Sequence, residues 1–281
     1  MILNYGSLAY CMTLGLCALL CWLLWFALKG ATERTRLAVL FGFALINIVQ
    51  HLFKHVLYPH LRGAGFGLEN TACNVCATLI FLTPFALAAQ KGFFRVFVSY
   101  LGAIGSLGAM LFPVWFLGKS VWNWEFFRYT FCHFLLFLTS ALPVFWGMRR
   151  PDWRDFWKSA PAFFAVLSVV LLNDLIVICA DTDFVPEALY EELCRLNPFG
   201  LMAPQGISSV LDRIFAALTP KRFLPTLSHP YYTPVLWCAF PLYAFVTLAS
   251  FFVFALADRK GFALSCRRRL AFSKKKKLIA K

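Results

Sequence analysis

A chain of 281 residues that is 60% hydrophobic, only 14% charged and has a mean hydropathy of +0.70 is excluded from the soluble globular class, where about a quarter of residues are charged. Its length accommodates about seven apolar segments of bilayer-spanning size, roughly 20 residues each, and leaves no room for a separate soluble domain. The net charge of +14 raises nucleic-acid binding, which the placement of the cations argues against.

In chain order, the apolar runs predict helices near 8–28, 37–53, 71–90, 96–118, 129–148, 160–180 and 232–257. The first is too long for a signal-peptide core and has no basic segment before it, so it is expected to be retained. Pro84, Pro143 and Pro241 fall inside the third, fifth and seventh, as membrane helices tolerate. Gly102, Gly105, Ser106 and Gly108 give the fourth a small-residue face for close packing. Most of the ten cysteines lie inside apolar runs, where they pack as small hydrophobes.

Lys and Arg set the expected orientation. The connections at 29–36, 91–95 and 149–158, with the segment from Asp258 onward, hold 19 of the 27 basic residues. The N-terminus is therefore expected outside and the C-terminus in the cytoplasm, which explains the basic excess as a topology signal and excludes nucleic acid as a partner. Residues 1–257 form one all-α transmembrane bundle in this reading, and 258–281 a basic cytoplasmic tail. Within the tail, Arg267–Arg269 and Lys274–Lys277 are expected to meet anionic lipid. In the outer 181–230 connection, Ile207, Val210, Leu211, Ile214, Phe215 and Leu218 recur at helical spacing. They predict an amphipathic helix on the membrane surface, either a lid or lipid-entry element or a packed loop helix.

Ionisable and amide side chains inside a bilayer are expensive and mark function or pairing. Asn47, Gln50, His51 and Lys54 share one face of the second helix, and Thr71, Cys73, Asn74 and Cys76 open the third. Tyr129, His133 and Ser140 share a face of the fifth, and Asn173 and Asp174 are adjacent in the sixth. In the expected orientation, Gln50, His51, Cys73, His133, Asn173 and Asp174 fall within roughly 5–12 Å of the outer boundary at 1.5 Å per residue. Each also has a plainer reading as a packing or interhelical hydrogen-bonding residue.

The order of these features carries a resemblance. Cys73-Asn74 opens one helix, a Tyr-Leu-Gly-x-x-Gly-x-x-Gly run spans 100–108 and leads to Leu111-Phe112-Pro113, Phe131-Cys132-His133-Phe134 begins the next helix, and Asn173 follows. Over residues 35–250 the chain resembles the YwaF-like bacterial integral membrane family and its eukaryotic relatives, among them an ether-phospholipid acyltransferase. Those relatives are similar in architecture to the androgen-induced family of transmembrane lipid-ester hydrolases. The resemblance implies a Cys–His catalytic pair, matched here by Cys73 and His133, acting on membrane phospholipids or lysolipids.

A thiol in apolar surroundings is a poor nucleophile unless a base lies within hydrogen-bond reach, and His133 is the expected base. Asn74, Asn173 or the amides at the start of the third helix are the expected oxyanion donors. Gln50, His51 and Asp174 complete the supporting polar cluster. This chemistry calls for no cofactor and no metal. Ranked below it are a small-molecule transporter or sensor built on the polar cluster, and then a thiol redox protein built on Cys73-x-x-Cys76. Zinc held by these cysteines with His51 and His133 would need four converging ligands, which spacing does not supply.

Overall fold

Leu8 to Leu28 has no charge and no proline, so nothing interrupts a helix of membrane-spanning length. In the computed structural model this is α1, begun by Ser7, whose hydroxyl accepts from Tyr10 N–H at 3.3 Å. The structure describes residues 2–57, 67–89, 92–113, 116–150, 152–181, 209–224 and 236–265. Thr32 caps α2 (Glu33–Leu52), which is followed by the single turn α3 (Lys54–Leu57). Asn74 caps α4 (Val75–Ala88), and α5 is Phe93–Leu111. Asn123 accepts from Glu125 N–H at 2.8 Å and opens α6 (Trp124–Phe145). Then come α7 (Ser159–Asp181), α8 (Ser209–Leu218) and α9 (Leu236–Ala257).

Six stretches, covering α1, α2, α5, α6, α7 and α9, are long and apolar enough to cross a membrane. The chain is a multi-pass integral membrane protein built as a helical bundle. The remaining apolar helix, α4, has only 14 residues, about 21 Å at 1.5 Å per residue. It begins four residues later than expected because Asn70, Thr71 and Asn74 bind main-chain groups with their side chains, an alternative to the helical ladder. α5 stops at Leu111, short of the expected 118, just ahead of Pro113, which cannot continue a helix. Pro84, Pro143 and Pro241 lie inside α4, α6 and α9. Of the 181–230 connection, α8 and the turn Lys221–Phe223 are described; the basic clusters at Arg267–Arg269 and Lys274–Lys277 lie outside the described residues.

The chain divides into two units. The first holds α1 to α6 and α7 from Val166 onward. α5 and α6 form its most extensive helix pair, and the reason is Gly102. A Cβ built there would collide with the Ser140 hydroxyl and stand 3.1 Å from Ser140 Cβ, so only glycine lets the two backbones approach this closely. Leu40, Ala44, Leu87, Met110, Leu135, Leu138 and Leu142 form the core among these helices. Leu16, Trp22 and Phe26 on α1 are exposed, as side chains facing hydrocarbon can be.

At the end of α6, buried Arg149 donates to Ala86 O of α4 at 2.8 Å and to Arg95 O and Ser99 Oγ of α5. Burial and, secondarily, the nearby Arg95 charge lower its pKa to about 10, which still leaves it charged at neutral pH. One side chain thus ties three helices together.

The second unit holds Arg150–Ala165 with α8 and α9. Trp153 Nε1 donates to Ser265 Oγ at 3.2 Å, Phe156 meets Phe251 edge to face at 5.3 Å between centroids, and Lys158 pairs with Asp155 at 2.5 Å.

Candidate functional site

Residues 68–74, immediately before α4, form a short strap that carries Cys73. It begins with a 3₁₀ turn over Leu68–Asn70. Asn70, 1% exposed, donates through Nδ2 to Leu52 O at 2.7 Å and to His55 Nδ1 at 3.1 Å. Thr71 follows as a hub. Its carbonyl oxygen lies 2.8 Å from His51 Nε2, so that nitrogen carries the proton and donates. Its hydroxyl donates to Leu68 O at 2.7 Å and accepts from Asn173 Nδ2 at 2.9 Å. Asn173 also donates to Asp174 Oδ1 at 3.2 Å, and Asp174 is 1% exposed. Through Thr71 the structure joins His51 of α2 to Asn173 and Asp174 of α7.

Cys73 is half-buried and Asn74 is exposed. Asn74 Oδ1 accepts from Ala77 N–H at 2.9 Å, while Asn74 Nδ2 points at Cys73 Sγ at 3.6 Å. One end of this amide closes the first turn of α4 and the other faces the sulfur. The thiol therefore sits beside the N-terminal end of α4. The Val75 and Cys76 N–H groups belong to the first turn, where a helix supplies no acceptor.

A second chain of hydrogen bonds runs from the same face of α2 to α6. Gln50 Nε2 donates to Asn47 Oδ1 at 2.6 Å, and Asn47 Nδ2 donates to Cys132 O at 3.1 Å. His133 is the next residue. Its Nδ1 lies 2.8 Å from Tyr129 O, one turn back. A carbonyl can only accept, so Nδ1 carries the proton and Nε2 of the neutral ring is left as the basic nitrogen. The Tyr129 ring lies 4.2 Å from the imidazole, centroid to centroid, and its hydroxyl donates to Ala109 O of α5 at 3.0 Å. Asn47 and His51, one turn apart on α2, thus hold the main chain beside His133 and the strap that carries Cys73.

The residues expected at the site fall in two separate groups of hydrogen bonds. His51, Asn173 and Asp174 converge through Thr71 ahead of Cys73; Gln50 reaches the turn that precedes His133. Asn173, expected as an oxyanion donor, has its amide engaged with Thr71 and Asp174. Sequence reasoning missed the central place of Thr71, because an uncharged residue at a helix edge gives no signal in an apolar pattern. It also passed over Arg128, which is 7% exposed, as Lys54 is 6% exposed. Both cations act electrostatically on His51, Cys132 and His133. Arg128 could have been found from its position one turn ahead of Cys132. Among the described residues no three His, Cys, Asp or Glu side chains gather in a metal-binding group.

The sequence profile of the TMEM164 family matches residues 5–255, a span that takes in the strap, both chains of hydrogen bonds and α9. The chain belongs to the TMEM164 family. No curated protein and no solved structure matches the chain. The TMEM164 match covers the whole region that carries Cys73 and His133 and extends well into both units of the fold.

Proposed function

We propose that this chain is a membrane-embedded lipid acyltransferase or lipid-ester hydrolase, with Cys73 as nucleophile and His133 as general base. One observation supports the reading: from adjacent turns of a single face, α2 holds the main chain close to each residue in sequence, through His51 to the Thr71 carbonyl and Asn47 to the Cys132 carbonyl. Precise relative placement of two reacting groups is what catalysis in a bilayer requires. The resemblance to the YwaF-like family and its acyltransferase relative supports the same pair.

The chemistry follows from the tautomer. His133 Nε2 takes the Cys73 thiol proton as Sγ attacks the carbonyl carbon of a lipid ester. The carbonyl electrons move onto oxygen, where the Val75 and Cys76 N–H groups are the available donors, and each such donor is typically worth about 3–4 kcal/mol in the transition state. Collapse expels the lysolipid alkoxide, which takes the proton from the His133 imidazolium, and leaves a thioester on Cys73. A second lysolipid hydroxyl, deprotonated by His133, attacks the thioester carbonyl, the C–S bond breaks, and the departing Cys73 thiolate regains its proton from the His133 imidazolium; water in the same role gives hydrolysis. The acyl donor is a membrane phospholipid and the acceptor a lysolipid or water.

The test is turnover of labelled phospholipid in vesicles. Cys73→Ala and His133→Ala are each expected to lower turnover at least 100-fold, the lower end of what a general base contributes, about 10²–10⁴, at unchanged protein level. Wild-type turnover in both variants would remove the reading.

A further inference from the structure

We infer that the segment ahead of α1 is a latch that positions the His133 ring by way of the connection between α5 and α6. This deepens the acyl-transfer reading and rests on it only for the part His133 plays in turnover. The latch is an antiparallel bridge between Ile2 and Ser120. Leu3 N–H donates to Lys119 O at 2.9 Å, and Gly118 N–H donates to Leu3 O at 2.8 Å. Gly118 has a φ of +79°, which a side chain resists, so the turn that presents these groups calls for glycine.

Two main-chain hydrogen bonds in a connection contribute little by themselves. The side chain they bury gives the bridge its reach. Leu3 is 1% exposed although it lies ahead of the first helix, and it packs in a small core with Phe116 and Phe126. A relay of rings leads from that core to the imidazole. Phe116 meets Phe126 at 5.5 Å and the Tyr129 ring at 5.0 Å between centroids. The Tyr129 ring in turn lies 4.2 Å from the His133 ring. Close-packed side chains yield little and pass a displacement on, and ring contacts favour particular angles.

Tyr129 holds His133 in two ways, with its ring against the imidazole and its carbonyl on Nδ1–H. Its own ring is braced by Phe116 and by the hydroxyl bond to Ala109 O of α5. Truncating Leu3 leaves a void behind Phe116 and Phe126. The Tyr129 ring then gains room to tilt, and the imidazole gains room to turn. Turning changes which nitrogen meets a carbonyl, and the proton of a neutral imidazole follows the acceptor. Leu3, Gly118 and Tyr129 act through His133 and are positioning residues.

The experiment uses full-length protein carrying ¹⁵N-labelled histidine in phosphatidylcholine vesicles. Solid-state NMR reads the imidazole nitrogens, and His133→Gln assigns the signal. In wild type the Nδ1–H form is expected to be at least about 90% of neutral His133, the other being a minor state. Leu3→Ala and Gly118→Ala break the latch through side chain and backbone respectively. Each is expected to raise the Nε2–H form at least about threefold and to lower kcat for labelled phospholipid about tenfold, with KM within about twofold. Leu3→Met keeps the volume and is expected to match wild type. Leu142→Ala opens a void in the separate core around Leu40 and Leu87 and is expected to leave the tautomer unchanged. A wild-type tautomer ratio in both Leu3→Ala and Gly118→Ala overturns the proposal, whatever the turnover. An equal shift in Leu142→Ala also overturns it, since any loss of packing would then suffice. A shift confined to the latch variants, with wild-type turnover in His133→Ala, upholds the latch and removes His133 as the base.

Discussion

Asn74 joins two requirements in one amide, and they can be separated. Its oxygen caps α4 through Ala77 N–H, and its nitrogen faces the Cys73 sulfur. Asn74→Asp keeps an acceptor of the same shape, and Asp caps helices as well as Asn does. It replaces the amide beside the sulfur with a carboxylate, and a like charge disfavours thiolate. The variant is expected to keep its stability within about 0.5 kcal/mol, since the cap survives, while Cys73 is alkylated roughly tenfold more slowly, as for a change of about 1.4 kcal/mol between protonation states. Asn74→Ala, in contrast, loses the cap and is expected to be destabilised by about 1 kcal/mol. Iodoacetamide kinetics followed by mass spectrometry on Cys73 check this. Equal alkylation rates in the wild-type protein and Asn74→Asp would mean that the amide nitrogen does nothing for the sulfur.

Among the elements, the α5–α6 pair offers the sharpest test of packing. Gly102→Ala inserts a methyl against the Ser140 hydroxyl and 3.1 Å from Ser140 Cβ, and overpacking of this kind costs about 1–3 kcal/mol. Ser140→Ala removes the first of these contacts, so the double variant is expected to recover at least about 0.5 kcal/mol beyond additivity, the size expected of residues in direct contact. Denaturation in mixed micelles provides the measurement, and strict additivity would show that the helices do not meet at Gly102. The small-residue face was legible only in part. Gly102 meets Ser140 and Ser106 is buried, whereas a Cβ at Gly105 or Gly108 would meet nothing within 4 Å, because spacing marks a candidate face without saying how far along it the neighbour packs. The helices were legible because long apolar runs between charges leave few alternatives. The strap was not. Thr71 and Asn74 read as the opening of a helix, and only the fold reveals that His51 and Asn173 reach the same residue from α2 and α7. The polar residues could be listed from the cost of burying them, but their partners depend on helix rotation, which hydropathy does not encode. The proton on His133 Nδ1 was equally out of reach, because it depends on which carbonyl the ring meets.

At the level of the whole molecule, the acyl-transfer reading depends on which leaflet the Cys73 strap faces. The distribution of Lys and Arg is lopsided, with 19 of 27 in the connections at 29–36, 91–95, 149–158 and from Asp258 onward. Such a bias orients multi-pass chains with those connections on the cytoplasmic side. The strap and the start of α6 lie at the opposite ends of their helices from the Lys91–Arg95 and Arg149–Lys158 connections, so in the orientation expected from this bias the proposed nucleophile and base both fall on the outer side. In sealed vesicles of cytoplasmic-side-in orientation, an added protease is therefore expected to remove an epitope placed at the N-terminus and spare one placed at the C-terminus. Neutralising Lys29, Arg34 and Arg36 weakens the signal on the first connection, and a mixed population is expected from that variant. Protection of the N-terminal epitope with loss of the C-terminal one would invert the topology. It would move the whole site to the cytoplasmic leaflet, where the lipid substrates are different, without altering any contact within the site.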